Sequence, residues 1–150
     1  EGINIFPRLK PHFSGSGQTY GHDFQRQSTG VPGLDQMLGG GIPAGTTTLI
    51  SGETGTGKTL LALSWILQGA RENEPGLFVT FDENPLQLKR SASSFGWRVD
   101  NLLKRNLLDF FYVSPVELDV DQHIYEIQQK AWRCRLGGSL STVFPLLKLA

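Results

Sequence analysis

The sequence predicts an α/β fold built around a mostly parallel sheet. Segments with strand character alternate with segments of helical periodicity from residue 46 to about residue 131, and this alternation is typical of parallel strands joined by right-handed helical crossovers. One strand candidate, residues 77–81, is nearly continuous in apolar residues, as expected for a strand that is covered on both faces. The length of 150 residues is sufficient for one domain with its own core.

The amino-terminal part is predicted to be peripheral to that sheet. Apolar residues alternate within residues 2–9 until Pro7 interrupts them, which favours a short edge strand. Residues 11–30 are rich in Gly, Ser, Gln and His and show little periodicity, a pattern that indicates an arm or a linker. We therefore expect residues 1–27 to form an N-terminal arm or interdomain linker, and residues 28–150 to form the main domain.

A short helix is predicted at the start of the main domain. It follows a capping residue near Ser28 and extends to Leu38. Three consecutive glycines at residues 39–41 then stop it, because glycine does not sustain a helix. Residues 46–51 are β-branched or apolar for the most part and therefore predict a strand.

The next predicted element is a buried helix that follows a glycine-rich loop at residues 52–57. From Lys58 to about Arg71, apolar side chains occupy nearly every face, which is typical of a helix enclosed by the core. A Pro-Gly turn at residues 75–76 then leads into the strand at residues 77–81.

Two acidic residues, Asp82 and Glu83, follow that strand directly. Pro85 suits the first position of a helix that runs to about Ser94. Residues 107–113 predict one more strand. Beyond it, apolar residues recur at the spacing of one helix face, at Val120, Ile124, Ile127 and Ala131.

Residues 52–59 match the phosphate-binding pattern G-x-x-x-x-G-K-[ST]. Its glycines allow the backbone to wrap closely, so that successive N–H groups can bind phosphate oxygens, and the following helix start adds partial positive charge. Lys58 would reach the β and γ phosphates of ATP, and the Thr59 hydroxyl would ligate Mg²⁺. The residues predicted to bind the nucleotide are Gly52, Glu53, Thr54, Gly55, Thr56, Gly57, Lys58, Thr59 and Leu60.

A chance match to this motif is the competing interpretation, since the chain contains 18 glycines. The context argues against chance, because the loop lies between a predicted strand and a predicted buried helix, which is the arrangement that the motif requires.

Three segments together resemble KaiC-like ATPases of the RecA superfamily. Residues 28–43 resemble the family's segment before the phosphate-binding loop, residues 75–85 resemble its second motif, and residues 94–97 resemble a third. The blocks occur in the family's order. In addition, residues 5–9 are weakly similar to the connector between tandem ATPase domains, so the resemblance suggests a piece of one domain of a tandem protein.

The resemblance implies a RecA-like P-loop NTPase core that binds ATP at subunit interfaces, commonly in a hexameric ring. It also implies that one of two adjacent acids, here Asp82 or Glu83, activates the attacking water while Lys58 acts on the phosphates. The role is chemically reasonable, because ligands bind at the carboxyl ends of parallel strands and a carboxylate there can polarise a water. The side chain of Asp82 is one methylene shorter than that of the family's usual Glu. Glu83 is therefore at least as good a candidate as Asp82 for the acid that activates water. Two solvated acids before a helix are the alternative.

One part of the family pattern is missing. A P-loop ATPase normally uses a second acid, at the end of a later strand, to hold the Mg²⁺ shell, and in this chain Gly138 stands where that aspartate is expected. The chain then ends at Ala150, so we expect a core truncated at its C-terminal side. A damaged family sequence, a truncated binder and a substitute acid remain three open explanations, and each preserves ATP binding better than hydrolysis.

The charge balance excludes some classes of partner. Fourteen basic residues offset fourteen acidic ones, which argues against strong generic affinity for nucleic acid or anionic membranes. All the acids lie within residues 1–126, and residues 127–150 carry bases alone. No run of 18 apolar residues occurs, so no membrane span is expected.

The leading hypothesis is an ATP-hydrolysing, oligomeric regulatory domain with ATP and Mg²⁺ as ligands. A DNA recombination or repair ATPase is the first alternative, but it would need a basic groove that residues 28–126 lack. The second is a nucleotide-dependent assembly module without turnover. Some KaiC relatives also phosphorylate their own Ser and Thr residues, and the sequence leaves that activity open. A lone cysteine, Cys134, excludes an internal disulfide and favours a reducing, cytoplasmic setting.

Overall fold

A computed structural model describes residues 25–114 and 120–135 of the chain. The predicted edge strand at residues 2–9, most of the predicted arm and the position of Gly138 lie outside these ranges. The described elements, in chain order, are β1 (Arg26–Gln27), α1 (Pro32–Met37), β2 (Ile42–Pro43), α2 (Lys58–Arg71), β3 (Gly76–Thr80), α3 (Pro85–Ser94), α4 (Val99–Lys104), β4 (Leu108–Tyr112) and α5 (Val120–Arg135).

The two longer strands form a parallel sheet, as the sequence predicts. β3 pairs with β4 in a register that places Phe78 opposite Phe110, and the rings of these two residues meet edge to face with centroids 6.0 Å apart. All five residues of β3 are buried, which agrees with the prediction of a strand covered on both faces.

Helices cover this sheet on both sides. On one side, α2, α3 and α4 enclose the larger apolar cluster, which includes Leu63, Phe78, Leu88 and Phe110. On the other side, α5 places Ile127 and Ala131 against a smaller cluster formed by Leu77, Val79, Phe111 and Val113. The sheet with helices on both faces is the layer arrangement of an α/β fold. Among the helices in residues 25–114 and 120–135, none is both long and apolar enough to cross a membrane.

Helix α2 is the central element of the larger cluster. Seven of its fourteen residues are buried, among them Leu63 and Trp65, so the prediction of a buried helix from Lys58 to Arg71 is confirmed. The C-terminal end of α2 also holds the connection to β3, because the Glu74 N–H donates to the Gly69 carbonyl at 2.9 Å. A Cβ on Gly76 would lie 3.0 Å from a methyl carbon of Ile66, so helix and strand approach closely there.

The prediction of a strand at residues 46–51 is wrong for the structure described here. These residues form no strand pairing with any other described residue, and Leu49 is 78% exposed. β-branched composition creates strand propensity, but a strand also needs a neighbour that accepts its N–H groups and donates to its carbonyls. Two features were not predicted: α4, and the antiparallel pair of β1 with β2.

Asp35 organises the segment before the phosphate-binding motif. Its carboxylate accepts the Ser28 hydroxyl at 2.5 Å, the Thr29 hydroxyl at 2.7 Å and the Thr29 N–H at 2.8 Å. Burial alone would raise the pKa of Asp35, but these hydrogen bonds outweigh it and hold the pKa below the ordinary 3.8. The expected side-chain cap of α1 is wrong: its N-cap residue is Val31, whose side chain forms no capping hydrogen bond. The Ser28 and Thr29 hydroxyls lie too early in the chain to cap the helix, since they accept the Gly30 and Val31 N–H groups while donating to Asp35.

Gly30 brings this segment into contact with α2. Its φ is +78°, and a Cβ there would lie 2.7 Å from Ser64 Oγ and 2.9 Å from the Ser64 carbonyl oxygen. Any side chain at residue 30 would therefore collide with α2. In addition, a residue other than glycine would be strained at this positive φ. The glycine is required where the segment crosses α2.

Replacing Gly30 by alanine is expected to lower the free energy of unfolding by about 2 kcal/mol or more, from combined strain and overpacking. The matched control is Gly33→Ala, because a Cβ on Gly33, within α1, meets nothing within 4 Å and alanine favours helix. Urea denaturation of both variants gives the comparison. Equal stability of the two variants would contradict the close contact between Gly30 and α2.

Candidate functional site

The loop that carries the phosphate-binding motif is a tight turn shaped by its glycines. Gly55 and Gly57 have φ values of +84° and +90°, a region that other residues rarely enter. The Thr56 hydroxyl and N–H both reach the Glu53 carbonyl, at 2.8 Å and 3.3 Å. Glu53, Thr54 and Gly55 are exposed, so the loop presents its backbone to solvent.

The loop ends at the start of α2 without a side-chain cap. Gly57 is the N-cap residue in the left-handed conformation, and no side chain accepts a hydrogen bond from the first turn. The N–H groups at the start of a helix have no acceptor within the helix, and they carry the positive end of its dipole. The N–H groups of Lys58, Thr59 and Leu60 are thus suited to bind phosphate oxygens.

Lys58 provides a cation at the same place. Its Nζ donates to the carbonyl oxygens of Gly52 at 2.6 Å and Glu53 at 2.9 Å, so the ammonium group folds back onto its own loop. Both contacts are exposed to solvent. A phosphate bound at the helix start would lie within reach of this group, and a charged acceptor forms a stronger bond than a neutral carbonyl does.

Thr59, the predicted Mg²⁺ ligand, is half-buried in the first turn of α2. Its hydroxyl is a hard oxygen donor of the kind that Mg²⁺ accepts, and Mg²⁺ in nucleotide sites takes most of its other ligands from phosphates and water. The residue therefore fits the ion. Thr59 would hold the ion, which would supply positive charge that neutralises the phosphate oxygens.

The two predicted catalytic acids lie where β3 ends. Asp82 is exposed and Glu83 is half-buried. The Glu83 N–H donates to Thr80 Oγ1 at 3.2 Å, and the Thr80 hydroxyl donates to the Glu83 carbonyl at 3.0 Å. The residue after Glu83 is fixed as well, because Asn84 caps α3 in a reciprocal capping box with Gln87.

The chain connectivity brings the phosphate-binding loop and the acids to the same side of the domain. Only residues 72–75 connect α2 to β3, so the two elements run in opposite directions. From the contact of Ile66 with Gly76, the start of α2 lies about 12 Å back along the helix, and the end of β3 lies about 13 Å forward along the strand. Within the described residues, no ion pair joins Lys58 to Asp82 or Glu83.

Two polar features of this region were not predicted from the sequence. The capping box could have been found, since Asn84 precedes Gln87 by three residues at the start of a Pro-initiated helix. The role of Thr80 had a weaker signal: it is the one polar side chain in β3.

Comparisons with known proteins show the family of this chain. The family model described as "ATPase: KaiC" matches residues 27–134. The circadian clock oscillator protein KaiC of Parasynechococcus marenigrum is 42% identical over 106 residues, which is 70% of this chain and 20% of that protein. A UPF0273 protein of Methanopyrus kandleri is 43% identical over 84 residues, 56% of this chain and 33% of its own length.

A solved structure shares the fold. The crystal structure of a KaiC-like protein from Pyrococcus horikoshii OT3 is similar, with a TM-score of 0.68 and 36% identity, over 75% of this chain and 50% of that one. The sequence thus spans about a fifth to a third of these curated relatives and half of the solved one. The range matched by the family model includes residues 52–60 and the two acids after β3.

Proposed function

The chain belongs to the KaiC family of ATPases, and from this premise we propose that it binds Mg-ATP at residues 52–60 and hydrolyses it. Residues 28–150 would form part of one RecA-like ATPase domain, preceded by an arm or linker at residues 1–27. The relatives named as circadian clock oscillator proteins support a regulatory role as a further part of the proposal. From the family resemblance we also propose that the chain acts within an oligomer, a hexameric ring.

The observation that carries the proposal is the start of α2. An uncapped helix of fourteen residues begins at a left-handed glycine, and the Lys58 ammonium lies over the loop that precedes it. Backbone donors, helix dipole and cation are thus found together at the exposed start of α2, and such a combination suits a triphosphate.

Hydrolysis would use Glu83 as the base that activates water. The carboxylate accepts a proton from water as the water oxygen attacks the γ-phosphorus, and the bond from that phosphorus to the bridging oxygen of ADP breaks. Lys58 would stabilise the charge that develops on the phosphate oxygens. Asp82, which is more exposed, is the competing candidate for the base.

Phosphate release and light scattering on the chain, each with and without Mg-ATP, test this function. We expect Mg²⁺-dependent release of phosphate and an increase in mass when ATP is present. Assembly with ATP but without phosphate release would favour a nucleotide-dependent assembly module instead. A monomer that neither binds nor cleaves ATP would contradict the proposal.

A DNA-dependent ATPase would behave differently in one further measurement. Binding to DNA through phosphate contacts falls steeply with salt, so a salt-sensitive affinity for duplex DNA would favour a recombination or repair role. The neutral overall charge leads us to expect weak binding.

A further inference from the structure

The last residue of β3 has a buried hydroxyl that is tied to Glu83. Thr80 is 4% exposed, and its hydroxyl contacts both backbone polar groups of Glu83, accepting from the N–H at 3.2 Å and donating to the carbonyl at 3.0 Å. One side chain therefore closes the turn that carries the two acids. A buried hydroxyl that both donates and accepts in this way has a defined orientation.

Thr80 is itself held firmly. Its carbonyl accepts the Val113 N–H at 3.0 Å, next to the pairing of β3 with β4. A β-branched side chain also has few χ1 rotamers available in a strand. The position of the hydroxyl is thus set by the sheet, and the sheet in turn sets the backbone position of Glu83.

Packing alone does not explain a threonine at this site. The other residues of β3 are glycine and apolar residues, and a valine would fill the same volume without placing a hydroxyl in the interior. Burial of a hydroxyl is unfavourable unless it forms hydrogen bonds, and both bonds formed here reach the same residue, Glu83.

The far side of Glu83 is restrained as well. The Asn84 N–H donates to Gln87 Oε1 at 2.9 Å, and the Gln87 N–H donates to Asn84 Oδ1 at 3.0 Å. Glu83 lies between these two fixed points, one set by the sheet and one by α3. Asp82 lies within the same turn and is exposed. The Thr80 hydroxyl bonds the backbone of Glu83 and not that of Asp82.

We propose that Thr80 is a positioning residue that fixes the backbone of Glu83 so that its carboxylate is aimed at the attacking water. This inference rests on the proposed hydrolytic function. It adds that the turn at residues 80–83 selects Glu83, rather than Asp82, as the base. Small displacements of a catalytic group can cost about 100-fold in rate, so the hydroxyl has a measurable effect on turnover.

The test compares Thr80→Val, which removes the hydroxyl, with Thr80→Ser, which keeps it. Thr80→Val is expected to lower kcat about 10- to 100-fold with KM for ATP and nucleotide affinity unchanged, and Thr80→Ser to restore most of kcat. Thr80→Ala is a second hydroxyl-free variant in case valine impairs folding. Thr46→Val is the control, because it also removes a threonine hydroxyl, but one that donates to the Pro43 carbonyl at 2.7 Å rather than to Glu83.

Two further readouts separate positioning from stability. Amide hydrogen exchange at Glu83 should rise in Thr80→Val and return in Thr80→Ser. In a Glu83→Gln background, Thr80→Val should have no additional effect on kcat, because two residues that act as one unit are not additive. An unchanged kcat in hydroxyl-free variants of a chain that hydrolyses ATP would overturn the positioning role alone. Absence of hydrolysis by the unmodified chain would overturn the proposed function, and the positioning role with it.

Discussion

Replacement of Lys58 by alanine is expected to weaken ATP binding about 10- to 100-fold, because hydrogen bonds to charged groups contribute about 1.5–3 kcal/mol each. The ammonium group is the one side-chain cation of the phosphate-binding loop. Backbone donors would remain in the variant, so residual binding is expected rather than complete loss. Titration with a fluorescent ATP analogue measures the change.

The fold should survive this substitution. Nζ of Lys58 contacts only carbonyl groups that are exposed, and water can replace it there at little cost. Alanine also favours the helix that begins at this residue. We therefore expect an unchanged thermal midpoint, which separates a lost phosphate ligand from a damaged domain.

Lys104→Ala is the matched control for charge. Lys104 is exposed in the last turn of α4, so its removal changes the net charge equally without touching the loop. ATP affinity in this variant should equal that of the unmodified chain. Equal affinities in the Lys58 and Lys104 variants would contradict the assignment of residues 52–60 as the nucleotide site.

Elements with a strong local signal were predicted well from the sequence. The apolar periodicity of α2, the apolar run of β3 and the proline at the start of α3 each specify their element within a few residues. The structure places these elements within one or two residues of the predicted bounds. Local patterns suffice for α2 and β3 because extensive burial demands apolar residues whatever the partners are, and for the start of α3 because proline suits the first helical position.

Features that depend on distant partners were not predictable in this way. Residues 46–51 have strand composition, yet composition does not supply a neighbouring strand. Ser28 and Thr29 are good capping residues by type, but their hydroxyls bind Asp35 six or seven positions later. Both errors have one physical origin: a polar group takes the best partner available in three dimensions, and the sequence gives no distances.

The same contrast between local patterns and three-dimensional contacts applies to the candidate site. The phosphate-binding loop is a contiguous motif, so the amino-acid sequence alone is enough to predict residues 52–60 as the nucleotide site. The choice between Asp82 and Glu83 could not be made from two adjacent acids, because side-chain type does not show which backbone is held. The hydroxyl of Thr80 and the capping box of Asn84 restrain the backbone on either side of Glu83, and our proposal of Glu83 as the base rests on this restraint.

Glu83→Gln is expected to lower the rate of ATP hydrolysis about 100- to 10,000-fold, the usual contribution of a general base. Glutamine has the same shape, and the hydrogen bonds to Thr80 involve only the backbone of residue 83, so the turn should persist. ATP affinity should not fall, because removal of a negative charge near the triphosphate cannot weaken its binding electrostatically. Single-turnover phosphate release and nucleotide titration give the two quantities separately.

Asp82→Asn is the control that makes the result specific. It removes the same charge one residue earlier, so any effect of charge on nucleotide affinity should be similar in both variants. The two acids differ in how firmly they are held. The Thr80 hydroxyl bonds the backbone of Glu83, whereas Asp82 is exposed. A small loss of rate in Asp82→Asn beside a large one in Glu83→Gln would identify the base as the restrained residue. The opposite ranking would assign the base to Asp82, and two small losses would place the base outside this turn.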